Sequence, residues 1–432
     1  MKFPGKRKTK HYFPVTEDKR APLSQNVEKG NGVYIVGIDQ LIVDIESHVE
    51  EEYLQKYNLQ KGESHIENQQ IVDEIYDDLK EKKRIIGEFA GGSIGNTLHN
   101  YAVLADDNCV ALGAINKTIK VGSYEYRYIC TTNSHVDLSY LKPCDGSMAR
   151  AMCLITPDKE RTFVLGKGVM NELCENYVPE NVIANSSGLL ISTYLLRDPE
   201  SNILKATLKA VKVANENGVP VILSLGTSSI VKNQLHSLRS FIKDYVSILA
   251  GNEEEMAILS GERDPLLSCE ALLEVVDFTL ITVGKSGLYI GAFCDEEFLR
   301  KTKDSLHSKS ISNYNQYEYS RAMKKRKCLR PKKIYTHINP FMGGPGKIEN
   351  TNGAGDAALS AILHDLTANS HHRLLVPNSP KHKGDFLTYS SLHQVAKYAN
   401  RASFEVLKQN SPRLLKGLPE KEDSLEESYW DL

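Results

Sequence analysis

The chain lacks a long apolar run, a closely spaced cysteine pair and a large net charge. No apolar run approaches the ~18 residues of a membrane-spanning helix, and the basic start MKFPGKRKTKHYF has no apolar segment typical of a secretory signal. The eight Cys are scattered singly without a C-x-x-C pair, so we expect reduced thiols, no zinc site and a cytoplasmic protein. The net charge of −2 favours neither nucleic acid nor a membrane surface as a partner.

Two familiar phosphate-binding motifs are also missing. The segment FMGGPGKI (341–348) comes nearest to a P-loop, but Phe341 stands in place of the first Gly and Ile348 in place of Ser or Thr. No G-x-G-x-x-G follows the first predicted strand, so the dinucleotide fingerprint is absent. Any phosphate chemistry in this chain must use another arrangement.

Short apolar runs that favour strands alternate with helical patterns along most of the chain. This alternation predicts an α/β fold with a doubly wound, mainly parallel sheet and helices on both faces. The predicted strands are 33–38, 109–115, 188–193, 220–225, 245–251 and 278–284, and the predicted helices are 66–83, 201–217, 234–244 and 252–260.

Two stretches interrupt this alternation. Between about 112 and 166 the predicted strands (124–130, 149–155 and 161–166) are shorter and more polar, which indicates a small β-sheet that forms a lid. The segment 294–349 is long and basic, and we interpret it mainly as a solvated insertion. The predicted organisation is an N-terminal extension at 1–32, one domain at 33–410 and a C-terminal tail at 411–432.

The segment ENTNGAGDAALSAIL (349–363) places three small residues directly before one carboxylate at the start of a predicted helix. An acidic residue in a first turn commonly complements the helix dipole. The alternative is catalytic, because the N–H groups of Gly353, Ala354 and Gly355 could approach an anion closely. Asp356 could then take a proton from a hydroxyl that attacks a bound phosphoryl group, although the helix N-terminus should lower its pKa.

Two earlier segments carry polar residues near the ends of strands. In VGIDQLIVDI, Asp44 follows shortly after a strand, where it is either a turn residue or a carboxylate that holds two sugar hydroxyls. In FAGGSIGN, Gly91 and Gly92 enter a helix, and Asn96 faces outward one turn later. That pattern fits either a closely packed strand-to-helix turn or a ligand site.

Two later segments offer groups for a nucleotide and its metal ion. Asn252 and Glu255 lie one turn apart at the start of a predicted helix, on one face. The three acids there fit ordinary dipole complementation, or the pair could order Mg²⁺-bound water beside phosphates. ITVGKSGLYI (281–290) predicts a β-hairpin, whose turn could also form a backbone ledge for a nucleotide.

In their order and spacing these segments resemble the PfkB, or ribokinase-like, family of carbohydrate and nucleoside kinases over about 33–410. The glycine pair with Asn96 matches the family's first signature, TNGAGD (351–356) its second, and Asn252 with Glu255 its N-x-x-E element. More narrowly, the basic opening, NQYEYSRAM (315–323) and the acidic ending resemble the bacterial inosine-guanosine kinases. That resemblance implies phosphate transfer from ATP to the ribose 5′-hydroxyl of guanosine or inosine, giving GMP or IMP in purine salvage.

The resemblance also implies a role for each matching residue, with ATP and Mg²⁺ as cofactors. Asn350 stands where the family usually has an Asp that contributes to a monovalent-cation site, so a potassium requirement is in doubt. The implied residues are Asp356 as base with Gly353, Ala354 and Gly355 as anion hole; Asp44, Gly91, Gly92, Asn96 and Arg161 for the nucleoside; Asn252, Thr282, Gly284, Gly287 and Asn352 for ATP; and Asn252 with Glu255 for the metal.

Other functions stay open at this point. Another sugar or nucleoside kinase of the same fold, such as an adenosine kinase or a fructokinase, fits the same motifs. A non-catalytic nucleoside sensor is disfavoured, because it would not need Asp356, Asn252 and Glu255. Nucleic-acid binding through the basic run 324–333 lacks interleaved aromatic residues. We expect small-molecule partners, with a homodimer left open.

Overall fold

The computed structural model describes residues 33–105, 107–158 and 160–418, and the predicted N-terminal extension lies outside them, as does the predicted tail beyond 418. The strands are β1 (Ile35–Ile38), β2 (Ile42–His48), β3 (Ser64–Glu67), β4 (Ile85–Ala90), β5 (Cys109–Leu112), β6 (Ala114–Asn116), β7 (Val136–Asp137), β8 (Lys142–Cys144), β9 (Ala149–Ile155), β10 (Arg161–Gly166), β11 (Gly188–Ser192), β12 (Val221–Ser224), β13 (Ile248–Asn252), β14 (Phe278–Thr282), β15 (Leu288–Asp295) and β16 (Pro331–Ile338). The helices are α1 (Glu51–Lys56), α2 (Gln69–Glu81), α3 (Ser93–Ala105), α4 (Tyr124–Thr131), α5 (Glu180–Ala184), α6 (Asn202–Glu216), α7 (Ser228–Asn233), α8 (Leu235–Tyr245), α9 (Glu253–Ser260), α10 (Pro265–Leu272), α11 (Ala354–Leu375) and α12 (Leu392–Leu407).

The main sheet has the strand order β16-β15-β14-β13-β12-β11-β1-β5-β7. From β14 to β7 in this order neighbouring strands are parallel, while β15 and β16 are antiparallel to their neighbours. The carboxyl ends of the parallel strands therefore meet at one edge, where ligands of open α/β sheets usually bind. We call this edge the carboxyl edge.

Helices cover both faces of the main sheet. One face packs against α3, α11 and α12, and the other against α6, α8 and α10. Along β11, Leu190 points to the first group while Leu189 and Ile191 point to the second. Because both faces are buried, the sequences of these strands are continuous apolar runs. The predicted doubly wound, mainly parallel sheet is confirmed.

A separate small sheet has the order β3-β10-β9-β2-β4. Val43 and Ile45 of β2 lie in one apolar core with Ile75 of α2, so α2 covers one face of this sheet. Asp44 points to the opposite face, because side chains alternate along a strand. The predicted small sheet is confirmed, but β2, β3 and β4, which come from earlier in the chain, supply three of its strands.

The predicted strand at 124–130 is wrong, since these residues form α4. The side chain of Ser123 accepts a hydrogen bond from the Tyr126 N–H and caps this helix. Tyr124 and Tyr128, four residues apart, lie on one helix face and share the core with other apolar side chains. The aromatic and β-branched content of this segment favoured a strand, and tertiary packing overrode that preference.

The interpretation of 294–349 as mainly a solvated insertion is also wrong for much of its length. β16 is a paired strand of the main sheet, and Arg321, Ala322 and Met323 are buried. The Arg321 guanidinium donates to the carbonyls of Lys381 and Thr388 and to the side chain of Asn369, so its charge is enclosed by acceptors. Sequence polarity did not reveal this burial, because the acceptors come from distant segments.

Among the described residues no helix combines the length and the apolar character that a bilayer crossing needs.

Candidate functional site

Three helices begin close together at the carboxyl edge of the main sheet. The Ser93 hydroxyl at the start of α3 donates to Asp356 in the first turn of α11 over 2.7 Å. Glu255 in the first turn of α9 lies near enough to Asp356 for the two charges to interact. Ser93, Glu255 and Asp356 therefore share one region, which we call the helix-start cluster.

Asp356 is held by two polar side chains of α3. Ser93 donates to Oδ1, and the Asn96 amide donates to Oδ2 over 3.4 Å. Burial raises the pKa of Asp356 to about 6, while these bonds and the Arg413 guanidinium oppose the rise. The expectation of a lowered pKa is wrong, because desolvation outweighs the stabilising contacts. At neutral pH the carboxylate is still ionised and basic enough to accept a proton.

The start of α11 leaves its first N–H groups open. Gly353 precedes the helix in the left-handed region, with φ 79°, and no side chain caps the helix. A Cβ at Gly353 would collide with the carbonyl of Pro412, whereas a Cβ at Gly355 would have no neighbour within 4 Å. A 22-residue helix with an uncapped and accessible N-terminus provides unsatisfied N–H donors and a positive dipole end.

Asp44 lies within β2 of the small sheet, so its predicted position just beyond the end of a strand is wrong. Its carboxylate rests on the backbone of Gly91, where any Cβ would collide with it. Burial raises the pKa of Asp44 to about 7, with Arg413 opposing the rise and Glu46 and Asp356 adding to it. The carboxylate is half-buried and faces the helix-start cluster.

Asp39 is a site residue that the sequence interpretation missed. It follows β1 directly at the carboxyl edge and is 4% exposed. Its Oδ2 accepts the Gly95 N–H over 2.8 Å, so it caps the start of α3 from a distant part of the chain. Gly92 has φ 91°, and a Cβ there would collide with this carboxylate. Its place immediately after the first strand was a usable signal.

Asn252 and Glu255 form a reciprocal capping box at the start of α9. The Asn252 side chain accepts the Glu255 N–H, and both Glu255 carboxylate oxygens accept from the N–H and amide of Asn252 at 2.9 Å. Glu255 is 3% exposed, and burial raises its pKa. Because its oxygens are engaged, the pair fits Mg²⁺ held through water rather than by direct ligation. The described residues contain no group of three or more His, Cys, Asp or Glu side chains suited to a metal ion.

Three of the predicted ATP-site residues, Thr282, Gly284 and Gly287, lie one strand further along the same edge. Thr282 at the end of β14 is the register partner of Asn252 at the end of β13. Gly284 and Gly287 form the turn to β15; a Cβ at Gly287 would collide with the Ile338 carbonyl, whereas the space around Gly284 is open. Asn352 is exposed just before α11, and its N–H donates to the Asn350 side chain over 2.9 Å.

Arg161 lies apart from Asp44 on the small sheet. It begins β10 opposite Ile155, while Asp44 lies beside Ala151, four residues back along β9. Alternation places Arg161 on the same face of the small sheet as Asp44, about 13 Å along the strand direction. The structure does not bring these two side chains together.

Tyr194 is a further residue that the sequence did not single out. It follows β11 at the carboxyl edge, and its hydroxyl donates to the Gly226 carbonyl over 3.3 Å. Burial, together with the charges of Glu255, Asp356 and Asp44, raises its pKa to about 12. The phenol therefore stays protonated and faces the carboxylates as a neutral group.

Comparisons with known proteins agree in sequence and in fold. The chain is 51% identical over 435 residues to guanosine-inosine kinases of three Escherichia coli strains, K12, O6:H1 and O157:H7, covering 100% of both chains. A probable sugar kinase from Rhizobium etli CFN 42 superposes with a TM-score of 0.64 at 19% identity, over 89% of this chain and 95% of that one. An adenosine kinase from Sinorhizobium meliloti gives 0.63 at 19%, over 88% and 96%. A scan against protein-family models found no match.

Proposed function

Because the chain belongs to the guanosine-inosine kinases of the PfkB, ribokinase-like fold, we propose that it transfers the γ-phosphoryl group of ATP to the ribose 5′-hydroxyl of guanosine and inosine. The products are GMP and IMP, which places the reaction in purine salvage. The observation that carries this mechanism is the half-buried, ionised Asp356 in the first turn of an uncapped helix.

Asp356 orients the 5′-hydroxyl and accepts its proton. Ser93 and Asn96 fix both carboxylate oxygens, so the base has one orientation before the substrate arrives. Phosphoryl transfer passes through a loose transition state, in which positioning of the nucleophile supplies much of the rate. A base with a pKa of about 6 is sufficient, because the proton leaves late.

The start of α11 receives the transferring group. The N–H groups of Gly353, Ala354 and Gly355 point to the side where the negative charge of the phosphoryl group develops. A Cβ at Gly355 meets nothing within 4 Å, which leaves room for the phosphate. The positive end of the α11 dipole adds to this stabilisation.

Asp44 binds the ribose, because its two carboxylate oxygens can accept hydrogen bonds from a pair of sugar hydroxyls. The small sheet carries Asp44 on the face that looks toward the helix-start cluster. We propose that this sheet is a lid that closes over the nucleoside and excludes water, which would otherwise compete as the acceptor.

Asn252 and Glu255 are the residues that would hold Mg²⁺, through water rather than directly. When bound, Mg²⁺ neutralises charge on the phosphate oxygens. In this proposal the enzyme works without potassium. Asn350 stands where the family usually has an Asp that contributes to a monovalent-cation site. Its buried amide donates to the Asn410 carbonyl over 2.9 Å, and this hydrogen bond takes the place of the cation.

Substrate choice is tested by ADP release from ATP with a panel of guanosine, inosine, adenosine, ribose and fructose. We expect guanosine and inosine to give the highest kcat/KM and the others to be poor substrates. A preference for adenosine or fructose would instead indicate an adenosine kinase or a fructokinase of the same fold. Nucleoside binding without any ADP release would support the sensor alternative.

We place the reaction in the cytoplasm, which suits the eight Cys, all of them free thiols.

A further inference from the structure

A short segment after α12 crosses the middle of α3 and the start of α11. The Leu414 N–H donates to the Asn100 side chain over 2.7 Å, and the Leu414 carbonyl accepts from Nε2 of His99 over 3.0 Å, so the segment is tied to α3. The Pro412 carbonyl lies against Gly353 at the start of α11. This segment (411–414), which we call the C-terminal strap, therefore contacts α3 and α11 where Asp356 sits between them.

Arg413 of the strap points into the helix-start cluster and is 3% exposed. Its Nε donates to Oδ1 of Asn96 over 2.9 Å, and Nη1 donates to the Thr132 hydroxyl over 2.8 Å. The guanidinium lies over the Tyr128 ring, 4.9 Å from the ring centre. Its buried Nη2 has no hydrogen-bond partner in the described part of the chain. The side chain is thus fixed by contacts from α3 and from α4 with the residue that follows it.

The bond to Asn96 decides which way the Asn96 amide faces. Arginine has donors and no acceptor, so the oxygen of the Asn96 amide must point to Arg413. The amide nitrogen of Asn96 then points to Asp356, where it donates to Oδ2 over 3.4 Å. Without Arg413 the amide could rotate and present its oxygen to the carboxylate, which would repel it.

Arg413 is also the positive charge that faces the carboxylates of this cluster. Asp39, Asp44 and Glu255 carry charges that interact with Asp356, and Arg413 opposes the burial-raised pKa values of Asp356, Asp39 and Asp44.

Three further titratable groups that pack here, His99, Tyr128 and Tyr194, are neutral. Burial and Arg413 lower the pKa of His99 to about 3, so this ring carries no charge. Burial raises the pKa of Tyr128, and burial with the nearby carboxylates raises the pKa of Tyr194, so both phenols stay protonated.

We propose that Arg413 is a positioning residue of the phosphoryl transfer, which orients the Asn96 amide and supplies the positive charge that faces Asp356. The C-terminal strap is then part of the catalytic apparatus, although it follows the second signature by more than fifty residues. This inference rests on the proposed function, since it gives Arg413 a role through the base Asp356.

The test compares Arg413→Met and Arg413→Lys with the wild type in the full chain, by ADP release with guanosine from pH 5 to 8.5. Methionine removes the charge and the bonds, so the acid limb of kcat should move up by about one pH unit or more. Lysine keeps the charge, so the limb should stay near its wild-type position. Its single nitrogen does not reproduce the two separate bonds of the guanidinium to Asn96 and Thr132, so Asn96 is held less firmly and the guanosine KM should rise at least several-fold.

The matched control is Arg321→Lys, another buried arginine with three side-chain donors engaged. Its partner Asn369 lies thirteen residues along α11 from Asp356, or about 20 Å. This variant should lower the Tm and leave the pH profile unchanged. If Arg413→Met does not fold, Arg413→Lys decides through its guanosine KM.

An unchanged acid limb in folded Arg413→Met, or an unchanged guanosine KM in Arg413→Lys, would overturn the role of Arg413. An inactive wild type would instead overturn the proposed function, so the two failures are distinguishable.

Discussion

The Ser93 hydroxyl donates to Asp356 over 2.7 Å although 263 residues separate the two. Further along the same helices, the Tyr101 hydroxyl donates to the Thr367 side chain over 3.2 Å. α3 and α11 therefore start together and run in the same direction, with most of their residues buried. This arrangement joins the two signature segments into one site and fixes the carboxylate before any ligand binds.

Asp44→Asn should raise the guanosine KM at least several-fold and leave the ATP KM nearly unchanged, because the amide donates where a ribose hydroxyl needs an acceptor. Steady-state kinetics with each substrate varied in turn measures this. An effect confined to the ATP KM would contradict the ribose role.

Ligand-free Asp44→Asn should also be more stable than the ligand-free wild type, and the difference should increase as pH rises. The folded-state pKa of Asp44 is raised to about 7, above its unfolded value, so its ionisation from about pH 4 to 7 destabilises the native state. The amide of the variant does not ionise, so the variant is not destabilised in this way. The Tm of the variant minus the Tm of the wild type should therefore grow between pH 5 and pH 8 in thermal melts. A constant Tm difference across this range would argue against the raised pKa.

Glu255→Gln should raise the Mg²⁺ concentration for half-maximal activity several-fold. The glutamine oxygen can still accept the Asn252 N–H and keep the helix start, while the negative charge that orders Mg²⁺-bound water is lost. Magnesium titrations of ADP release measure the effect. The control is Glu254→Gln, an exposed acid in the same turn, and equal Mg²⁺ dependence in both variants would remove Glu255 from the metal site.

Gly353→Ala should reduce kcat more than tenfold, because the new Cβ collides with the Pro412 carbonyl and displaces the start of α11. Gly261→Ala is the matched control, since Gly261 also has positive φ but has open space around it. Each residue held at positive φ costs about 1–3 kcal/mol, so both variants should melt earlier. Only Gly353→Ala should lose turnover; equal turnover in both would show that the start of α11 is not critical.

Asn350→Asp should create a potassium requirement. The wild-type amide donates to the Asn410 carbonyl, whereas an aspartate would place two acceptors together and need a cation between them. ADP release in potassium and in choline buffers should be equal for the wild type and should differ for the variant. A wild type that loses activity in choline would contradict the proposal that Asn350 replaces the cation.

The sequence predicted the parts of this enzyme that depend on local pattern. Continuous apolar runs identified the central strands such as β11, and small residues before a carboxylate identified the start of α11. Asp356, Asn96 and Asp44 were singled out because each lies in a short segment with a recognisable pattern. The structure then placed Asp44 in the small sheet, which local pattern could not assign.

The rest depends on distant contacts. Arg413 lies in a charged stretch with no motif, and its burial follows from partners in α3 and in the segment after α4. The pKa of Asp356 was expected to fall because the helix start is visible in sequence, while the burial that raises it is not. Arg321 was hidden for the same reason, as its acceptors lie 48 to 67 residues later.

The most direct test of the account is the turnover of Asp356→Asn with guanosine and ATP, measured by ADP release together with guanosine binding by calorimetry. We predict wild-type folding and binding, and a kcat lower by on the order of 10²-fold or more, because the general base is gone. The wild-type kcat should also fall as pH drops through about 6, where Asp356 takes up a proton, and this limb should be missing in the variant. Near-wild-type turnover in a folded Asp356→Asn enzyme would contradict the account.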